Sequence, residues 1–161
     1  MGLLKKLFGI KTKVGFFSFT CCEGCTIVFI EILNNKFEDY MKKIKIVNFR
    51  ALKTSHEIRK MDLAFVEGAI STESEIKKLK EIRKKTKKLI ALGSGAENGY
   101  PSNQRNKFDL KKKKQIEKMI KRFHQIKSIE PLKKFVKVDD SIPGCPVDEK
   151  DLIKKIEGYL K

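Results

Sequence analysis

The chain has 161 residues, of which 40% are hydrophobic and 35% charged; this indicates one folded domain and excludes an intrinsically disordered protein. No apolar run approaches the roughly 18 residues of a membrane-spanning helix, and the N-terminus lacks a signal-peptide pattern, so we expect a cytoplasmic protein. The net charge of +17 attracts polyanions, but the lysines are spread over every predicted helix without the aromatic spacing of nucleic-acid binders, so we expect a solvated surface and no nucleic-acid partner.

The sequence divides into a basic amphipathic tail, residues 1–13, and one domain, residues 14–161. In the tail, apolar residues stand near helical spacing with lysines between them: Leu3, Leu4, Leu7 and Phe8. Such a segment is suited to peripheral contact with a membrane surface or a partner protein. A frayed chain end is the alternative.

Short β-branched or aromatic runs alternate with helical patterns along the domain. In chain order, the predicted elements are a strand at residues 14–19, a helix at 26–37, strands at 44–49 and 63–66, a helix ending at about 85, a strand at 89–92, a helix at about 109–125, a strand at 135–138 and a helix at about 148–160. Thr72 and Glu75 form a capping box at the start of the second helix. The alternation predicts an α/β fold, a doubly wound parallel sheet covered by helices on both faces.

The helix at about 109–125 is rich in lysine and carries one apolar face. We expect this face to point into the core; its members are Ile116, Met119, Ile120 and Phe123. The last helix shows a similar pattern, with Leu152, Ile153, Ile156 and Leu160 at core spacing.

The chain has four cysteines, and three of them share one short loop after the first predicted strand. These are Cys21, Cys22 and Cys25, while Cys145 follows the last predicted strand. Thiols in a chain without an export signal are more often metal ligands or redox groups than disulfides. Loops at the carboxyl ends of parallel strands meet at one sheet edge, so the four cysteines are expected to converge there.

Several chemistries fit these thiols. Four thiolates hold iron-sulfur clusters, and a Cys-x-x-Cys loop at a helix start suits an anionic cluster because backbone N–H groups stabilise it. A structural zinc site uses the same ligands, but usually as two Cys-x-x-Cys pairs. A thioredoxin-like redox pair would use Cys22 and Cys25 and leave the other two unexplained, and inert buried thiols are a further reading.

Other polar or flexible positions follow predicted strands. Glu67 is a candidate proton relay, but a carboxylate that accepts hydrogen bonds from nearby backbone N–H groups is the expected role. The run Gly93-Ser94-Gly95 completes no phosphate-binding motif and is assigned to the cluster loops. His56 and His124 are expected at the surface.

Residues 14–25, 62–73 and 142–146 resemble, in family order, blocks of the small subunit of nickel-iron hydrogenases and its complex I counterpart, the 20 kDa subunit. The likeness is greatest to delta subunits of archaeal sulfhydrogenases and gamma subunits of F420-reducing hydrogenases. It implies a flavodoxin-like domain with one [4Fe-4S] cluster held by Cys22, Cys25 and Cys145. It also implies electron transfer without bond chemistry, a partner like the hydrogenase large subunit or the complex I 49 kDa subunit, and a redox partner protein.

The sequence departs from the family pattern at Gly95, which stands where the family has a further cysteine ligand. Cys21 is a candidate replacement, since the complex I counterpart uses a tandem cysteine pair, and Gly24 gives the loop the flexibility to wrap one cluster. Val147 stands where many relatives have a second proline. The prediction is therefore an electron-transfer subunit with one cluster; the alternatives are a cluster-free assembly or regulatory module and a basic nucleic-acid-binding protein.

Overall fold

The computed structural model describes residues 9–52 and 57–160. Most of the predicted N-terminal tail, and His56, therefore lie outside the described residues. Within the described ranges, no helix combines the length and the apolar composition that a bilayer crossing requires.

Seven strands and six α-helices make up the described part of the fold. In chain order they are β1 (Thr12–Ser18), α1 (Gly24–Asn35), α2 (Phe37–Lys43), β2 (Ile44–Phe49), β3 (Met61–Glu67), β4 (Ile70–Thr72), α3 (Glu73–Lys85), β5 (Thr86–Leu92), α4 (Gly93–Asn98), α5 (Leu110–Arg122), β6 (Gln125–Glu130), β7 (Asp140–Ile142) and α6 (Glu149–Leu160). Two short 3-10 helices, Ser102–Lys107 and Leu132–Lys134, flank the α5–β6 segment.

Five of the strands form one sheet, in the order β2-β1-β3-β5-β7, and all its pairs are parallel. Counted within the sheet, this is the 2-1-3-4-5 order of flavodoxin-like folds, which confirms the predicted fold class. The order reverses between β1 and β3, because the chain builds β2 on one side of β1 and then crosses to the other side. A crevice opens at the carboxyl ends of the strands at such a reversal.

Strand side chains alternate between two cores, one on each face of the sheet. Phe16 and Phe65 lie in the core that α1 and α6 cover, whereas Phe17 and Val66 lie in the core that α3 and α4 cover. Phe16 stacks on Phe65 and on Phe29 of α1, with ring centroids 4.9 and 3.7 Å apart. The predicted cover of both sheet faces by helices is therefore confirmed.

The prediction of a strand at residues 135–138 is wrong. Pro131 and the 3-10 helix after it leave this segment without ladder pairing, and its apolar side chains instead pack, partly buried, on the second core. Pairing begins at Asp139, whose N–H donates to the Leu89 carbonyl over 2.9 Å, and β7 follows. The apolar residues of this segment are partly buried, and an irregular segment can bury apolar side chains as well as a strand can.

The expectation that α5 buries its apolar face is also wrong. None of its residues is buried, and Met119 and Phe123 are 59% and 58% exposed. The helix packs against β6, which pairs with β4 in a separate two-stranded antiparallel ribbon. The ribbon lies outside the main sheet, so α5 reaches neither of the two cores.

The predicted capping box at the start of α3 is confirmed, and it also fastens the cysteine loop. Glu75 accepts hydrogen bonds from the backbone N–H groups of Ser71 (2.7 Å) and Thr72 (3.1 Å), and from the Thr20 hydroxyl (3.1 Å). Ser71 is buried, so its N–H has no access to water.

We expect Glu75→Ala to lower the free energy of unfolding by about 2 to 3 kcal/mol, because it removes the cap and leaves a buried donor unsatisfied. Urea unfolding followed by circular dichroism measures the loss. Glu73→Ala, an exposed carboxylate in the same helical turn, is the matched control and should cost about 0.5 kcal/mol or less. Equal losses for the two variants would show that the capping bonds contribute little.

Candidate functional site

The cysteine loop is fastened to the turn that follows β3. Thr20 and Ala69 exchange backbone hydrogen bonds of 3.1 and 3.0 Å, and the Phe19 N–H donates to the Glu67 carbonyl over 3.0 Å. Gly68, between these contacts, has a φ of +88°. A Cβ there would lie 3.0 Å from the Thr20 carbonyl oxygen, so the close approach of the two loops requires glycine.

A buried carboxylate lies beneath this loop. Glu67 is 3% exposed, and its Oε1 accepts hydrogen bonds from the Ser18 hydroxyl (2.8 Å) and the Thr26 hydroxyl. Its Oε2 accepts from the Thr26 backbone N–H over 3.3 Å. Glu67 therefore joins the end of β3 to the end of β1 and to the first turn of α1, with donors that compensate the buried charge. The expected role of a carboxylate bonded to backbone N–H is confirmed, with two hydroxyl donors in addition.

The structure places Cys25 in the first turn of α1 and buries it against a glycine of α4. A Cβ on Gly93 would lie only 2.6 Å from the Cys25 sulfur, and Gly93 has a φ of +80°. Any side chain at position 93 would therefore both strain the backbone and displace this sulfur.

The hairpin that carries Cys145 packs against the start of α4, the helix that begins at Gly93. The Gly144 carbonyl accepts hydrogen bonds from the Ser94 N–H (2.8 Å) and the Ser94 hydroxyl (3.1 Å). Gly144 and Val147 pair across the hairpin, and the Val147 N–H donates to the Cys25 sulfur. The loop after β7 thus meets the loop after β1, as the topology predicted.

Cys21 and Cys22 are exposed and lie in different surroundings. The Cys22 sulfur is 3.5 Å, and Pro146 Cβ is 3.6 Å, from the point that a Cβ on Gly24 would occupy. Cys22 therefore lies toward the Cys145 hairpin. The Cys21 sulfur donates to the Phe19 carbonyl over 3.5 Å, and its Cβ lies close to Gly68.

Electrostatics connects three of the thiols directly. Burial raises the pKa of Cys25 to about 11; the Val147 N–H opposes this shift, and negative charge on Glu67, Cys22 and Cys145 adds to it. Burial also raises the pKa of Cys21 to about 12, with Glu67 the next cause; the residue is exposed, but its sulfur lies against the backbone. Both thiols therefore stay protonated at neutral pH until a cation displaces the proton.

Position 95 faces the turn after β3. A Cβ on Gly95 would lie 3.2 Å from the Gly68 Cα and 3.5 Å from the Ala69 nitrogen. The Cβ of Cys21 lies 3.1 Å from the point where a Cβ on Gly68 would stand. Gly95 and Cys21 therefore share Gly68 as a neighbour.

The donor set suits an iron-sulfur cluster better than a single ion. Soft thiolates are the ligands of such clusters, and negative charge on Cys22 and Cys145 raises the pKa of Cys25. In the part of the chain that the structure describes, no three His, Cys, Asp or Glu side chains are arranged to hold one metal ion. A cluster needs its ligands farther apart than one ion does, since each thiolate binds a different iron. By their chemistry, the three thiols suit a cluster rather than a single ion.

The sequence identifies the four thiols and Glu67 as candidate site residues but not the groups that position them. These are Gly93, which makes room for the Cys25 sulfur, and the hydroxyls of Ser18 and Thr26, which hold Glu67. Their signal in the sequence is weak, because a small or hydroxylated residue at a strand end is common. His124 is exposed, as expected, and has a φ of +50°.

The family model described as the NADH ubiquinone oxidoreductase 20 kDa subunit matches residues 22–159. The chain belongs to this family. The match begins at the first cysteine of the Cys-x-x-Cys pair and ends in α6, so it includes Cys22, Cys25 and Cys145 together with the turn that carries Glu67. The predicted family is confirmed.

Relatives within the family carry hydrogenase names. The chain is 27% identical to sulfhydrogenase 2 subunit delta of Pyrococcus furiosus over 92% of its own length and 62% of the relative's. It is 30% identical to a component of the F420-non-reducing hydrogenase vhu of Methanocaldococcus jannaschii over 94% of its length and 57% of the relative's. The chain thus spans about three fifths of the length of these two relatives.

The fold also matches a solved structure. A chain in the crystal structure of an NAD+-reducing [NiFe]-hydrogenase in the H2-reduced state superposes with a TM-score of 0.82 at 19% identity. The match covers 93% of this chain and 91% of that one. At this identity the likeness establishes the shared fold.

The two raised pKa values predict an order of thiol reactivity in the metal-free, reduced chain. At pH 8, iodoacetamide should modify Cys22 and Cys145 first, because both are exposed, and Cys25 much more slowly, because only about one thiol in a thousand is ionised three pH units below its pKa. The Cys25 rate should rise about tenfold per pH unit up to pH 11. Mass spectrometry of peptides over a time course measures each rate.

Glu67→Gln tests whether the Glu67 charge slows these two thiols. Removal of that charge lowers the pKa of both Cys25 and Cys21, so both should react faster with iodoacetamide. Glu23→Gln is the matched control, because the Glu23 charge raises the pKa of Cys21 but is not among the causes for Cys25. It should therefore leave the Cys25 rate unchanged. If Glu67→Gln left Cys25 equally slow, the carboxylate would not be acting on it.

Proposed function

We propose that the chain is an iron-sulfur electron-transfer subunit of a hydrogenase-like or complex I-like oxidoreductase and carries one [4Fe-4S] cluster. One observation carries the proposal: Cys25 and the hairpin of Cys145 both pack at Gly93 and Ser94, and Cys22 lies toward the same hairpin. The family and the hydrogenase names of its relatives support a redox role. When bound, the cluster supplies one-electron chemistry.

The chain's own residues would hold the cluster and set its surroundings. Cys22, Cys25 and Cys145 would be three ligands, and the Val147 N–H, which already donates to the Cys25 sulfur, would offset part of the cluster's negative charge. Glu67 would act in the opposite sense, since its buried charge disfavours the addition of an electron nearby. The Val147 N–H would therefore raise the reduction potential of the cluster, and Glu67 would lower it.

Cys21 is proposed as the fourth ligand. It stands beside Cys22 in the loop that leads to Cys25, and it shares Gly68 as a neighbour with position 95, where the resemblance implies the missing ligand. Its sulfur now donates to the Phe19 carbonyl, a weak bond that a turn of the side chain would break. An exposed thiol with so weak a tether can reorient at little cost.

A partner would cover the site. Cys21, Cys22 and Cys145 are all exposed, so a cluster held by them would lie at the protein surface, where water and oxygen reach it. A protein like the hydrogenase large subunit or the complex I 49 kDa subunit would exclude solvent there and receive or donate the electron, and a redox partner protein would complete the path. We place this complex in the cytoplasm.

The decisive measurement is iron and acid-labile sulfide per chain after anaerobic reconstitution, with EPR of the reduced protein. The parent chain should bind about four irons, and Cys145→Ser, which removes one ligand, should bind about three. Cys21→Ser should fall to about three irons with a changed EPR signal, because one iron loses its thiolate.

The double variant Cys21→Ser with Gly95→Cys supplies the control. A thiol restored at position 95 should recover the fourth iron, provided that the backbone near Gly68 yields by a few tenths of an ångström to the new Cβ; thermal unfolding checks that the variant folds. Four irons in Cys21→Ser would exclude Cys21 as a ligand. Negligible iron and sulfide in the parent would overturn the electron-transfer proposal in favour of the cluster-free assembly or regulatory module.

A further inference from the structure

One side of the apolar face of α5 has no cover in the described structure. Its members follow the i, i+3, i+4, i+7 spacing of a helix that buries one side. Ile116 and Ile120 are half-buried beside β6, whereas Met119 and Phe123, one turn apart, are 59% and 58% exposed. The two exposed side chains form a short apolar ridge.

Positive charge surrounds this ridge. Residues 107–127 contain nine Lys and Arg against two Asp and Glu. The two acids pair with two of the cations, Asp109 with Lys112 (3.7 Å) and Glu117 with Lys121 (2.8 Å). The segment therefore carries a net charge of +7, nine basic minus two acidic residues.

The charge lies directly against the apolar side chains. The guanidinium of Arg122 lies over the Phe123 ring, 5.8 Å from its centroid, and the Lys112 ammonium lies 5.9 Å from the Phe108 ring centroid. By helical spacing, exposed Lys112 stands on the same side of the helix as the ridge, and exposed Lys111 and Arg122 flank it. The C-terminal half of the helix therefore combines a short apolar ridge with cations beside it.

We propose that α5 docks on an anionic phospholipid membrane, with Met119 and Phe123 entering the headgroup region and the lysines contacting lipid phosphates. A basic amphipathic helix lies in the plane of such a surface, where apolar burial and electrostatic attraction act together. The docking does not depend on a bound cluster.

Other occupants match the ridge less well. A second copy of the chain would bring a like-charged surface against it, since each chain carries a net charge of +17. Protein interfaces favour aromatic residues and Arg and are depleted in Lys, whereas eight of the nine cations in this segment are Lys. Two exposed apolar side chains also fall far short of the roughly 800 Å² that each partner buries in a stable protein complex. Flexible lysines suit a fluid anionic surface, because lipid headgroups move to meet them.

The test is co-sedimentation of the full chain with vesicles of phosphatidylcholine alone or with about 30% phosphatidylserine, at low and high salt. We expect binding to the anionic vesicles, loss of binding at high salt, and no binding to the neutral ones. Lys111→Gln, Lys112→Gln and Arg122→Gln together should weaken binding about a hundredfold, and Phe123→Gln about tenfold.

Matched variants elsewhere control for net charge and for exposed apolar area. Lys77→Gln, Lys80→Gln and Lys84→Gln remove the same charge from exposed positions of α3, and Phe37→Gln removes a ring that is 59% exposed on α2. Both controls should bind much as the parent does. Absence of binding to anionic vesicles, equal losses in the α3 and α5 variants, or binding that survives the α5 changes would each overturn the proposal. Loss of self-association in the α5 variants without any effect on vesicle binding would overturn it too, and would assign the ridge to a second copy.

Discussion

The carboxylate of Glu67 is the contact on which the rest of the site depends. A charge buried to this extent is costly unless donors surround it, and here the donors come from Ser18 at the end of β1 and from Thr26 in α1. The carboxylate can be satisfied only when β1, β3 and α1 are all in place. The loop between β1 and α1, which carries Cys21 and Cys22 and leads into Cys25, is therefore held at both ends before any ligand binds. Such preorganisation lowers the cost of assembling a ligand set from distant parts of the sequence.

Glycines then decide how closely the loops approach. Gly68 lets the cysteine loop lie on the turn after β3, and Gly93 leaves room for the Cys25 sulfur. At position 147 the chain has a valine whose N–H donates to that sulfur, a contact that proline, which has no N–H, could not make. Two glycines and one backbone donor therefore set the space around the thiols.

Much of the fold could be predicted from the sequence, because strands buried on both faces and a capping box are local signals. The bounds of β2 and the start of α3 are as predicted, and the convergence of the cysteine loop with the Cys145 hairpin follows from parallel topology alone. The wrong predictions concern apolar patterns that are compatible with more than one structure. Residues 135–138 bury their side chains without strand pairing, and α5 keeps its apolar ridge outside the core. The role of Gly93 could not be predicted, because it depends on a tertiary contact between positions far apart in the sequence.

The ribbon of β4 and β6 lies between the cysteine loop and the basic helix α5. Thr20 of the cysteine loop pairs with Ala69, Ile70 beside it pairs with Glu130 at the end of β6, and α5 runs into the start of β6. A continuous series of backbone hydrogen bonds therefore runs from the thiols to the segment that carries the basic helix. The cysteine loop and α5 are therefore joined through paired strands rather than through unpaired chain alone. A surface that engages α5 would fix the orientation of the proposed electron-transfer edge as well, and a partner covering that edge would have to approach from the space that the surface leaves open.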